Sequence, residues 1–304
     1  MDEGVEEAKK TRLTGGALII LAAVLWGTTG TSQALAPPES TPHTIGALRL
    51  LIGGSGLAVY ALIRDRTFLT SVPPALCLVA GIFVAAYQVC FFWGVSLTGV
   101  AVGTVVGIGS APIFAGILDA LILNKYPQQK WYLSTICALI GCLLLLVKSD
   151  GVQINFVGIL LALAAGLSYA TYALCIKLLL PNRKAESVTA IVFCTGALFL
   201  LPLLISSNLS WVLTVNGIMI VAHLGLLATA LAYFCFSKGL KTVQVSTAVT
   251  LSLAEPLTAG LLGVLVVGEK LSVLAWVGLL LIFLGLTFLV FPHKRKQPTV
   301  SIAN

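Results

Sequence analysis

Ten stretches of this chain are long and apolar enough to cross a lipid bilayer, and that regularity removes most folds from consideration. They run over about 14–34, 44–63, 73–93, 100–123, 130–147, 155–178, 187–205, 214–237, 246–267 and 271–291. A helical span needs about 20 mostly apolar residues, because each residue advances about 1.5 Å through a hydrocarbon core about 30 Å thick. Lipid offers no partner to a backbone amide, so each span must satisfy its own hydrogen bonds as a helix. The links are short and carry turn residues: Pro37-Pro38, Pro73-Pro74, Pro127, Asp150-Gly151, Pro181-Asn182 and Ser206-Ser207-Asn208. None can hold a soluble domain. A mean hydropathy of +1.04 and a charged fraction of 10%, against about 25% in soluble domains, agree. The expected class is an all-α integral membrane protein of ten transmembrane helices.

The charges sort by loop. Fifteen Lys and Arg residues fall on one set of segments: Lys9, Lys10, Arg12, Arg64, Arg66, Lys125, Lys130, Lys177, Arg183, Lys184, Lys238, Lys241, Lys294, Arg295 and Lys296. The opposite set holds only Lys148 and Lys270. Positive residues in short loops stay on the cytoplasmic side, so both termini are expected in the cytoplasm. The N-terminus leads into an apolar run too long for a signal-peptide core, and the first span is expected to be uncleaved.

The halves also resemble each other. Shifted by 142 residues, GALIILAAVLW from Gly16 matches GILLALAAGLS from Gly158; shifted by 144, Pro112 falls on Pro256 and Gly141 on Gly285. A repeat of five spans is odd-numbered, so the second copy sits upside down relative to the first. Inverted repeats are a transporter device, since exchanging the conformations of the halves exchanges which side is open. The expected organisation is a tail over 1–13, repeats over 14–147 and 155–291, and a tail over 292–304.

Candidate working residues are the polar groups left inside the spans. Glu255 lies at depth with Pro256 directly after it, where a carboxylate costs roughly 2.5–3.5 kcal/mol on insertion scales. It reads either as a proton or substrate-cation site or as a protonated carboxyl bonding a neighbouring helix. Arg49 could hold a substrate carboxylate with its planar fork, snorkel to the interface, or pair with a helix end. His223 is a candidate proton shuttle or a neutral ring bonded to one neighbour. Asp119 is expected to make a local helix or loop pairing. Trp26, Tyr87, Gln88, Tyr169 and Tyr233 lie deep enough to suit a cavity wall, whereas Trp93 suits an interfacial aromatic belt. Pro112 and Pro256 free backbone groups within their helices and read as a shared hinge. Gly99, Gly103 and Gly107 mark close helix packing in the fourth span, with Gly260 and Gly263 doing related work in the ninth.

Other chemistry is missing from the pattern. No HExxH, nucleophile elbow or phosphate-binding glycine loop is present, so neither catalysis nor ATP-driven transport is expected. The seven cysteines sit inside apolar segments without metal-ligand spacing, and no cofactor is expected. The formal charge of +7 is dispersed over loops, which disfavours nucleic acid as a partner.

Leu25-Trp26-Gly27, Leu48-Arg49-Leu50, the run from Ala228-Thr229-Ala230-Leu231-Ala232-Tyr233 to Lys238-Gly239-Leu240, and Glu255-Pro256 followed by Gly268-Glu269-Lys270-Leu271 together resemble the EamA-type branch of the drug/metabolite transporter superfamily. The resemblance implies two inverted five-helix repeats around a central cavity lined by the first four spans of each. It implies a bacterial inner-membrane location, export of amino acids or other small metabolites, and fifth and tenth spans outside the cavity, available for a homodimer. One departure is Asn124-Lys125, where the family often repeats Gly-Glu, which leaves Glu269 as an expected loop cap. The expectation is therefore a secondary transporter of small metabolites with the bilayer and a small-molecule substrate as partners, working by alternating access and powered by a gradient, such as that of protons, or by none. A membrane scaffold or sensor is the alternative.

Overall fold

The computed structural model describes residues 2–66, 68–70, 72–145 and 155–291. Lys148, the Asp150-Gly151 turn, residues 146 and 147 of the expected fifth span, and the tail with Lys294, Arg295 and Lys296 lie outside them. Ten helical segments follow in order: α1 (Asp2–Ala34), α2 (Pro42–Arg64), α3 (Pro74–Thr98), α4 (Val100–Ile122), α5 (Gln129–Leu145), α6 (Phe156–Leu179), α7 (Ala185–Ile205), α8 (Val215–Leu240), α9 (Val245–Val267) and α10 (Val273–Val290). Nine of these described helices are long and apolar enough to cross a membrane, and α5 is the shorter tenth.

Local sequence explains the helix starts. Thr41 and Thr44 form a reciprocal capping box ahead of α2, with Pro42 at its first position. Asn155, Thr214 and Ser272 cap α6, α8 and α10 by accepting from backbone amides three residues on. Each cap satisfies an amide that the first turn cannot bond internally. Gly99 (φ +83°) and Gly268 (φ +81°) take the left-handed backbone that other residues resist. Gly268 thereby ends α9 and lets the Glu269 amide bond the Gly263 carbonyl at 3.0 Å.

The two repeats, α1–α5 and α6–α10, do not fold as side-by-side halves. The most extensive packing joins helices of opposite repeats: α3 and α4 on α6, α2 on α7, α1 on α8 and α9, and α5 on α10. The α5–α10 pair stands mostly apart from the other eight. Its helices approach until a Cβ on Gly141 would lie 2.5 Å from the Gly278 carbonyl. Buried positions follow helical spacing, as in Ile19, Ala22, Ala23 and Trp26 of α1.

Most of the described basic residues gather at one end of the bundle. Lys177 donates to the carbonyls of Leu240, Lys241 and Val243, Lys241 to that of Arg183, and Lys184 to that of Arg64 and to the carboxylate of Asp65 at 3.1 Å. Lys130 reaches the Leu289 carbonyl near the end of α10. This end, called the basic face below, contains the start of the apolar part of α1 and the end of α10.

Candidate functional site

At mid-depth, four helices of the first repeat and three of the second converge on one cavity. It is lined by Trp26 of α1, Arg49 of α2, Tyr87 of α3, Gly107 and Ile108 of α4, Tyr169 of α6, Tyr233 of α8, and Val249, Ser252 and Glu255 of α9. Six of the seven substrate-contact candidates therefore share a single space. Its volume in this conformation is about 30 Å³, room for only a few waters.

The wall is an aromatic cluster. The Trp26 ring lies 4.7 Å from Tyr233 and edge-on to Tyr169 at 6.3 Å, and Tyr87 lies 5.6 Å from Tyr169. Tyr172 and Phe193 back this wall, packing on Tyr233 at 6.0 and 4.4 Å. The Tyr169 hydroxyl is 2.8 Å from Ser252 Oγ, tying α6 to α9. The indole N–H of Trp26 is buried with no hydrogen-bond partner. Buried donors are rarely left so.

Two ionisable groups, the Arg49 guanidinium and the Glu255 carboxyl, face this space. Arg49 is held by Nε donating to Thr229 Oγ1 at 3.0 Å and by Nη2 donating to the Ala228 carbonyl at 3.4 Å. Those acceptors lie in a π-helical turn over His223–Leu231, where Thr229 Oγ1 bonds the Leu224 carbonyl five residues back. Wide turns of this kind leave carbonyls available and recur at functional sites. A Cβ on Gly53 would lie 2.5 Å from Thr229 Cγ2, so only glycine lets α2 bring Arg49 against α8.

Glu255 arrives on a broken helix. Within α9, Val245–Leu251 and Ala254–Leu262 are separate α-helical pieces, and the Glu255 amide bonds the Ser252 carbonyl three residues back. Pro256 has no amide for that same carbonyl, which lies four residues back. Gly27 permits the approach of α1 here: a Cβ would lie 2.8 Å from the Glu255 carbonyl and 2.5 Å from Thr258 Cβ. Among the described residues, no ion pair within 4.0 Å joins Arg49 to Glu255. A guanidinium and a carboxyl group thus line one cavity without direct contact.

Other sequence expectations fall elsewhere. Gln88 does not line the cavity; it is buried beside Gly46 of α2, its amide nitrogen without a partner. Its neighbour Tyr87 turns inward because adjacent helical residues point about 100° apart. His223 also stands outside the lining and meets Thr28 Oγ1 at 2.9 Å, joining α8 to α1. The two prolines are not equivalent hinges, since α4 runs unbroken through Pro112 whereas α9 is interrupted ahead of Pro256. Asp119, expected to pair locally through its side chain, is fully buried and bonds the Ser246 amide of α9. The sequence reading missed Ser252, Thr229 and the π-helical turn. Small hydroxyls are common in spans, and no local motif marks a wide turn.

Comparison with known proteins bears on the whole chain. The model of the EamA-like transporter family matches twice, over residues 13–147 and 156–291. A protein of Bacillus subtilis (strain 168) named "Uncharacterized transporter YwfM" is 46% identical over 286 residues, covering 94% of this chain and 96% of its own length. A "Probable amino-acid metabolite efflux pump" of Salmonella typhimurium is 25% identical, covering 94% and 98%. A solved structure titled "Crystal structure of protein" superposes with a TM-score of 0.79 at 20% identity, over 90% of this chain and 95% of that one, which supports the fold. With one family model matched by each inverted half and a close relative covering nearly the full length, the chain belongs to the EamA-like transporter family.

Proposed function

We propose that this membrane transporter is a secondary carrier that exports small amino-acid-like metabolites across the cytoplasmic membrane by alternating access. The observation that carries the reading is the unpaired juxtaposition of Arg49 and Glu255 in one aromatic-walled cavity between the inverted repeats. A guanidinium suits a carboxylate and a carboxylate suits an ammonium, while aromatic faces suit an apolar side chain or an ammonium. The name of the Salmonella relative supports the same substrate class. The basic face is read as cytoplasmic, which puts both termini inside.

The present cavity is too small for a metabolite, so binding requires the surrounding helices to part. In the same reading Glu255 exchanges a proton for substrate, coupling export to the proton gradient. Purified protein in liposomes, loaded with a labelled panel of amino acids, amines and carboxylates, tests transport directly. Efflux accelerated for at least one zwitterion supports the reading. A folded preparation that moves none of the panel would sink it. Coupling is tested by Glu255→Gln, which should abolish pH-driven accumulation while sparing counterflow exchange.

A further inference from the structure

Among the described residues, the most buried acid outside the cavity is Asp119, near the end of α4 at the basic face, with 0% exposure. Its Oδ2 accepts the backbone N–H of Ser246, in the first turn of α9, at 2.8 Å, and its Oδ1 has no partner. The bond spans 127 positions and joins the fourth helix of one repeat to the fourth helix of the other. The start of α9 has no local side-chain cap, unlike α2, α6, α8 and α10. Its amide is satisfied from a different helix instead.

The packing around this bond is one-sided. α4 packs closely on Val245–Leu251, whereas Ala254–Leu262 packs on α1 and α10. Residues 245–254 are buried apart from Thr247, while residues 255–260 are all partly exposed. The internal repeat sharpens the contrast. The shift of 144 that pairs Pro112 with Pro256 places Gly263 opposite Asp119 and Val102 opposite Ser246. At the far end of the crossing Gly263 stands in place of Asp119, and the Glu269 carboxylate of the following loop lies where its Cβ would be, so the contact is not repeated from helix to helix.

We infer that the Asp119–Ser246 bond is a latch that holds the bundle shut at the basic face, and that it must open for the cavity to communicate with that side. The moving piece is Val245–Leu251, hinged at the break over Ser252 and Leu253. Arg12, Lys125, Lys177 and Lys241 line a cavity with Asp119 at the same end. A carboxylate leaving Ser246 therefore meets cations and is not stranded unpaired in the bundle. Asp119 is a positioning residue in this scheme and touches no substrate. The inference rests on the alternating-access reading above but is tested without any substrate.

The test introduces Val249→Cys, a buried cavity position on the moving piece, into the full chain in proteoliposomes. Labelling by a membrane-impermeant maleimide applied from the basic face is then measured over the background of the seven native cysteines. Asp119→Ala removes the acceptor and Ser246→Pro removes the donor, with proline tolerated in a first helical turn. Each should raise labelling about tenfold, the loss expected for one hydrogen bond to a charged group. Asp119→Asn keeps an acceptor oxygen but loses the charge and should fall between the parent and Asp119→Ala. Unchanged labelling in both latch variants, at parental helix content and monodispersity, overturns the latch. So does a rise in Asp119→Ala that Ser246→Pro fails to reproduce. If labelling responds but the protein moves no metabolite, the transport reading fails and the latch stands.

Discussion

The helices α4 and α9 occupy equivalent places in the two repeats, yet they behave differently. α4 is continuous through Pro112. α9 breaks over Ser252 and Leu253, carries Glu255 immediately after the break, and widens into a π-helical turn over Gly263–Val267. Their acids are likewise divided. Glu255 matches Ala111, and Asp119 matches Gly263. A duplicated frame thus carries one acid at the cavity and another at the basic-face contact, each from a different copy. The comparison teaches that symmetry supplies the geometry of the crossing while single substitutions supply its chemistry. Proline alone does not break a span. At Pro256 the break coincides with a Ser252 hydroxyl that bonds both the Ala248 carbonyl and Tyr169.

The sharpest way to break this comparison is to remove the acid that α4 lacks. Glu255→Ala should lower metabolite flux in liposomes by about a hundredfold or more, in keeping with the cost and functional use of acids within spans. Flux that survives in that variant would reduce Glu255 to a structural residue. The next effect belongs to the helix that seats Glu255. Gly27→Val would drive a side chain into Thr258 and the Glu255 carbonyl, costing about 1–3 kcal/mol for overpacking. A lowered thermal unfolding midpoint in detergent, together with lost flux, would check it.

Restoring an amide at the break probes the asymmetry itself. Pro256→Ala gives the Ser252 carbonyl a helical partner, and it should straighten α9 and slow transport about tenfold, seen as increased amide protection over 252–256. Trp26→Phe keeps an aromatic ring but deletes one of the two fused rings together with the unpartnered N–H. It should raise the apparent KM about tenfold with little change in maximal rate, for the loss of one neutral hydrogen bond and part of the aromatic wall. The smallest change is expected at the continuous helix. Pro112→Ala should leave flux within about twofold, because α4 is unbroken there and the new amide only completes an existing ladder. A Pro112→Ala effect as large as that of Pro256→Ala would erase the distinction between the two helices.

Much of the site was readable because polar residues in lipid-length helices are scarce and costly. Trp26, Arg49, Tyr87, Tyr169, Tyr233 and Glu255 stood out by depth alone, on six different helices. Depth does not give azimuth. Gln88 has the same depth and residue class as Tyr87 but points toward α2. His223 reads from the sequence as a proton shuttle or a ring bonded to one neighbour, and spacing does not name that neighbour as Thr28.

What the sequence by itself determined is the set of properties that each segment carries alone: ten helices, their alternating direction and their duplication. Bilayer thickness and the hydrogen-bond demand of the backbone act on one segment at a time, so these properties are local. Only the tertiary structure decided which face of each helix turned inward, how the repeats interlocked, and that Asp119 would meet Ser246 across 127 positions. The spans are apolar on nearly every side, and lipid tails are as apolar as leucine. Hydrophobic periodicity therefore carries little information about facing. Small residues such as Gly27 and Gly53, and polar groups such as Arg49, Thr229 and Ser252, set the contacts one pair at a time.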